Sequence, residues 1–107
     1  MIRIVTTIKA RPAVAGTQLQ QLPLVPASGR LRIDTEDGEA GRQTKYTLTA
    51  RLRQPVPREL LLDDLVLMVE FADNGLLFIG TEDIPVRLRI SEDDSLDISA
   101  EHVIGAH

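Results

Sequence analysis

The chain has no cysteine and no tryptophan, and among its 107 residues only Tyr46, Phe71 and Phe78 are aromatic. Without thiols there are no disulfides, no thiolate nucleophile and no thiolate metal site, and the redox compartment is left open. With three rings the core must be built from Leu, Ile and Val, and the platforms on which sugars and single-stranded bases stack are missing. Histidine is nearly as scarce. His102 and His107 both fall in the last six residues, where a chain end is expected to fray, so His102 is expected to have a plain surface or packing role.

Motifs that carry chemistry are absent as well. There is no GxSxG elbow, no GxxxxGK phosphate loop and no HExxH pair, and no spacing singles out two carboxylates for acid and base work. In "SEDDSLDIS" the residues Asp93, Ser95 and Asp97 have the alternate-oxygen spacing of a calcium loop. The glycine and the bidentate acid that such a loop needs further on are replaced by Ile98 and Ile104. An acidic turn leading into a strand is the better reading. The expectation is therefore no catalytic residue, no cofactor and no metal. The start, "MIRIVTTIKARP", lacks a signal-peptide core, and no apolar run is long enough to span a bilayer. A soluble cytoplasmic protein without membrane contact is expected.

What is present is ordinary for a folded domain: 43% hydrophobic and 26% charged residues, enough at this length to bury a core without staples. The net charge is −4, but it is unevenly spread. Residues 1–60 hold ten basic and five acidic side chains, and residues 61–107 hold two basic and eleven acidic. Either basic and acidic strands pair across one sheet, or opposite surfaces meet head to tail between copies of the chain.

Period-two alternation dominates the pattern. In "MIRIVTTIK" the residues Ile2, Ile4 and Ile8 share one parity and Arg3 and Lys9 the other, which predicts a first strand with the isoleucines inward. "RLRI" at Arg30 to Ile33, "KYTLTARLR" at Lys45 to Arg53 and "IPVRLRI" at Ile84 to Ile90 alternate in the same way. The three Arg-Leu-Arg segments are then strand centres, polar outside and apolar inside, with no solenoid repeat behind them. "TEDGEAG" predicts a hairpin loop between the first two. Between "LVLMVEF" and "LLFIG" lies Asp73-Asn74-Gly75, the strongest short-range hairpin mark, with both Asn74 and Gly75 expected at positive φ. The continuous apolar runs on either side predict strands covered on both faces, by the rest of the fold or by another subunit. "PVPRELLLDD" reads as a linker with one helical turn, and "SLDIS" as a short last strand. Residues 10–29, rich in Pro, Gly and Gln, read as a long loop with an extended piece at Thr17 to Leu22.

The fold class that follows is all-β, a small antiparallel β-sandwich or barrel of six to seven strands, in a single domain over residues 1–107. The face carrying Arg30, Arg32, Arg51, Arg53, Arg87 and Arg89 is the candidate partner-contact surface. Nucleic acid is a poor partner for it, since the chain is acidic and lacks stacking rings. The expected function is a non-enzymatic structural or assembly protein that associates with itself, as a homo-oligomer, or with other proteins. The alternative is a small-ligand-binding barrel lined by Tyr46, Phe71 and Phe78. The short all-β character and "GTEDIPVRLRISEDD" at Gly80 to Asp94 resemble small structural proteins of bacteriophages and prophages, such as tail or head-completion components. That resemblance implies an assembly role in a virion and carries no site residues with it.

Overall fold

Strands with one apolar face must turn those faces towards each other, and a single sheet can do so by curling. The structure, a computed structural model, describes residues 1–13, 22–24, 26–39, 41–92 and 95–105. Its strands are β1 (Ile2–Pro12), β2 (Leu22–Leu24), β3 (Pro26–Gly38), β4 (Gly41–Leu52), β5 (Leu65–Phe71), β6 (Leu76–Ile79), β7 (Arg89–Ile90) and β8 (Asp97–Gly105), with one short helix, α1 (Arg58–Leu62). All pair antiparallel in the order β6-β5-β1-β3-β4-β8-β7, with β2 also beside β1. The all-β expectation holds. Of the expected sandwich or barrel, the barrel side is what forms: the strands make one antiparallel sheet curled into a half-barrel.

The expected loop over residues 10–29 is shorter than the sequence implied. β1 continues to Pro12, and Pro26–Gly29 already belongs to β3. Most of the extended piece expected at Thr17 to Leu22 lies outside the described residues, and β2 begins at its last residue. The β3–β4 hairpin is correspondingly longer, paired from Pro26 and Leu52 to Gly38 and Gly41. Thr35 to Gly38, expected in the loop, are therefore strand. The cross-strand pairs Thr35–Thr44 and Asp37–Arg42 carry the ladder that far.

The second hairpin forms where Asn-Gly marked it, with different backbone chemistry. Asn74 has φ 67°, while Gly75 does not share the positive φ expected for it. The Asn74 N–H donates to the Phe71 carbonyl at 3.0 Å, and the Phe71 N–H donates to the Gly75 carbonyl at 2.9 Å. That is a three-residue loop, Ala72 to Asn74, which needs only its last residue in the left-handed region. A Cβ at Gly75 would meet the Arg3 guanidinium, the far end of a long side chain that can shift aside.

β1 departs most from the expectation. Val5 pairs with Phe71 and Thr7 with Glu70, so Thr6 is one residue too many for its partner and forms a β-bulge. Parity reverses there. Val5, Ile8 and Ala10 point inward and are buried, whereas Ile2 and Ile4 point outward, 59% and 56% exposed. Arg3, expected outside, takes the inward side opposite Leu31. Where β1 parts from β3, Val5 packs on Gly29, and a Cβ at Gly29 would stand 3.1 Å from that of Val5.

The core is one apolar cluster in the hollow of the half-barrel. Leu31, Leu48, Leu52, Ile98 and Ala100 fill it from one side, and Ile8, Leu65, Leu67, Val69, Phe71 and Ile79 from the other. Val56 and Leu60 of the 55–62 segment, with Val86 and Leu88, complete it. Truncating Leu48 to Ala should cost about 2–5 kcal/mol, since the residue is fully buried between the paired Leu31 and Ala100. Asn74→Val should cost about 1–3 kcal/mol, because a β-branched residue is strained at positive φ, while Asn74→Gly should be near neutral. Urea unfolding of the three variants measures these values.

Candidate functional site

The outer face of the sheet collects side chains in cross-strand rows. One row reads Ile4, Arg30, Thr49, Ser99 and Arg89 from β1 through β3, β4 and β8 to β7. The next reads Ile2, Arg32, Thr47 and Glu101, and on the other side lies Ser28, Arg51 and Asp97. Strand pairing therefore brings Arg30, Arg32, Arg51 and Arg89 onto one face, although two strands separate Arg30 from Arg89. Arg53 stands just past the end of β4, and Arg87 just before β7; both are exposed.

Much of this charge is matched within the molecule. Arg32 pairs with Asp34 at 3.0 Å, Arg51 with Asp97 at 3.2 Å and Arg87 with Asp64 at 2.8 Å. The Arg87 guanidinium pKa is raised, by the Asp64 hydrogen bond first and its charge second. Pairs that join a base of residues 1–60 to an acid of residues 61–107 also include Arg3–Asp73, Arg11–Glu82 and Lys45–Glu101. The uneven charge along the sequence is thus partly spent in bringing the two halves of the chain together. Exposed pairs of this kind contribute roughly 0.2–1 kcal/mol each. Among the described residues Arg30, Arg53 and Arg89 have no ion pair.

Apolar side chains share the outer surface. Beyond the bulge the outward rows of β1, β5 and β6 are Thr7–Glu70–Leu76 and Lys9–Met68–Phe78. Leu76 and Phe78 are 53% and 51% exposed, so this part of the apolar hairpin, expected to be covered on both faces, is bare in the single chain. Ile2 and Ile4 lie on β1, on the other side of the Thr6 bulge from Thr7 and Lys9. The hollows on the outer face are open grooves. One of about 450 Å³ is lined by Ser28, Arg30, Thr49, Arg51 and Ser99, and another of about 520 Å³ by Arg32, Asp34, Lys45, Glu101 and Val103.

The three rings proposed as a ligand lining are not brought together. Phe78 is on the outside, while Phe71 is buried with the Arg3 guanidinium over its face, 3.8 Å from the ring centre. Tyr46 is half-buried on β4, beside His102. Arg3 was not legible as a special residue; it also donates to both Asp73 oxygens at 3.0 and 3.1 Å. The signal for it was the adjacent apolar pair Ile4-Val5, where parity breaks.

His102 is part of β8 rather than a frayed end, and is 3% exposed. His107 and Asp93 lie outside the described residues. Among the described residues no group of three His, Asp or Glu is placed to hold a metal ion, and no helix is long and apolar enough to cross a membrane. Comparison with protein-family models, with curated proteins and with solved structures finds no match to this chain.

Asp73 makes the clearest electrostatic prediction of this surface. The Gly75 N–H and then the Arg3 guanidinium hold its carboxyl below the ordinary value of 3.8. A depressed carboxylate stabilises the fold above its unfolded pKa, and the contribution is lost as pH falls through the lower folded pKa. Proton-detected titration should place Asp73 below 3.8, and Asp73→Asn should flatten the acid limb of the stability curve.

Proposed function

We propose that the chain is a non-enzymatic structural protein that associates with copies of itself through the apolar part of its outer face. The observation that carries this reading is the outward placement of Ile2 and Ile4 on β1, before the Thr6 bulge, and of Leu76 and Phe78 on β6, two strands along the same sheet. Isolated exposed apolar residues are common on any protein, but four large ones exposed on the outer side of one sheet are of the kind that marks contact surfaces. The arginines are secondary in this reading. Several are already ion-paired, and attraction between exposed charges is screened within roughly 8 Å at physiological salt. Arg30, next to Ile4 and without an ion pair among the described residues, is the arginine best placed to add orientation. The resemblance of residues 80–94 to phage structural proteins contributes no residue to the argument.

Magnitudes set the strength expected. Each of the four side chains is about half exposed, so covering one contributes about 1 kcal/mol. Association costs at least about 4 kcal/mol in lost translation and rotation. One such contact is therefore weak, and a stable assembly needs each copy to make two, as in a closed ring. Sedimentation velocity from micromolar to millimolar chain should show concentration-dependent association that persists in 0.5 M salt. Ile2→Glu with Ile4→Glu should abolish it, with the circular dichroism spectrum unchanged, while Arg51→Glu with Arg53→Glu should leave most of it. A wild-type monomer throughout that range would refute the proposal.

A further inference from the structure

The two ends of the sheet, β6 and β7, are consecutive in the chain, and residues 80–88 cross the gap between them. On the β5 side the crossing is tied by a bridge between Leu65 and Val86, with N–H to carbonyl distances of 2.7 and 2.9 Å. Its first bend is pinned by Thr81 and Ile84, whose backbone bond and hydroxyl bond both measure 2.9 Å. Gly80 opens the crossing at φ 83°, where a Cβ would stand 2.9 Å from the Leu65 carbonyl oxygen. On the β8 side two ties appear. One is the short β7 pairing of Arg89 with Ser99 and Ile90 with Ile98. The other is a buried hydrogen bond in which the Gly80 N–H donates to His102 Nδ1 at 2.9 Å.

That bond fixes the ring's chemistry. Because Nδ1 accepts, the proton of the neutral imidazole sits on Nε2, and Nε2 is buried with no partner. A second proton could go only to Nδ1, which would then face the Gly80 N–H donor to donor. Neither N–H of the cation would have an acceptor. We propose that His102 is a proton-operated latch. The neutral ring holds Gly80 and the 80–88 crossing against β8, and protonation releases that segment and opens the seam of the half-barrel.

The surroundings offer no counter-charge. On β4 the titratable neighbour is Tyr46, its ring centre 6.2 Å from that of His102. Lys45 and Glu101 adjoin the two rings in sequence but point outward and pair with each other at 3.5 Å. On the crossing, Glu82 and Asp83 are exposed, and Glu82 reaches Arg11 at 3.8 Å. Burial of the ring is the cause that lowers its pKa from 6.5. The open state therefore takes up the proton more readily than the closed one. The latch is fully set above about pH 6.5 and loosens as pH falls from there towards the lower folded pKa.

Hydrogen exchange on the full chain tests this at pH 7.5 and 5.0, after correction for intrinsic exchange rates, with amides of the β3–β4 hairpin as reference. Protection at Gly80 and over 81–88 should fall at least tenfold relative to that hairpin. In His102→Gln, whose side-chain oxygen can accept from Gly80 without titrating, the relative fall should vanish. A uniform loss of protection across the chain, or an unchanged relative fall in His102→Gln, would overturn the proposal. A second measurement needs no variant. Nitrogen-15 shifts of His102 should show an accepting Nδ1 at neutral pH and a ring pKa below 6.5, and a ring pKa at or above 6.5 would overturn it.

Discussion

β1 is the strand that both halves of the sheet share, and its geometry governs the rest. Its first residues pair with β3 and its later ones with β2, while its opposite edge pairs with β5 along most of its length. A regular strand would keep one parity through both halves and twist only gradually. The extra residue at Thr6 reverses parity and adds local twist, which lets the β5–β6 hairpin turn over the β3–β4–β8 sheet so that both apolar faces meet. The same slip gives Arg3 an inward position over Phe71 and within reach of Asp73, where it caps the end of the core. It also leaves Ile2 and Ile4 outside. One insertion thus accounts for the curl, the cap and the exposed patch.

Charge plays the first of the two parts that its distribution along the chain allows, pairing within the sheet. A basic first part and an acidic second part could serve contact between copies, yet Arg3–Asp73, Arg11–Glu82, Lys45–Glu101 and Arg51–Asp97 join the two parts within one chain. Each pair lies at the surface and contributes little stability. Their value is in register. A strand slipped by one residue would lose its ion pairs as well as its inward side chains, so the two sets of interactions reject the same errors.

How much of this was legible depends on how local each cause is. Strand identity followed from alternation in "KYTLTARLR", and the second hairpin from Asn74-Gly75, because both depend on neighbours in sequence; "IPVRLRI" alternates as well, yet only Arg89–Ile90 is strand and Val86 makes a single bridge to Leu65, because that segment crosses between the sheet's two ends. The backbone chemistry of that hairpin was misassigned at Gly75. Loop length, which decides whether one or two positive-φ residues are needed, is set by how β5 and β6 pair. The Thr6 bulge was harder still, since a bulge is defined by the partner strand and β5 lies some sixty residues away. Only the adjacent Ile4-Val5 pair hinted at the break. The outward arginines were foreseen as a face that acids of the sheet could pair with, but not which acids: Arg32, Arg51 and Arg87 find Asp34, Asp97 and Asp64. For His102 the sequence pointed to a chain end, and only the path of β8 beside β4 shows it to be interior.

That interior is otherwise apolar: among the described residues His102 is the one buried side chain that is polar. Its hydrogen bond from Gly80 contributes about 1 kcal/mol net, while leaving the Nε2 proton buried without an acceptor costs about 1–3 kcal/mol. The two terms cancel at best. A leucine or phenylalanine of similar volume would fill the place with apolar contact and no orphaned donor, at the loss of a single backbone tie. Packing and stability therefore give no reason for an imidazole at this position. What an imidazole has and those side chains lack is a charge that can be switched near neutral pH. It sits where the 80–88 crossing meets β8, and the backbone ties there are the two-residue β7 pairing and the bond from Gly80, so a change in free energy at that point acts directly on the closure of the sheet.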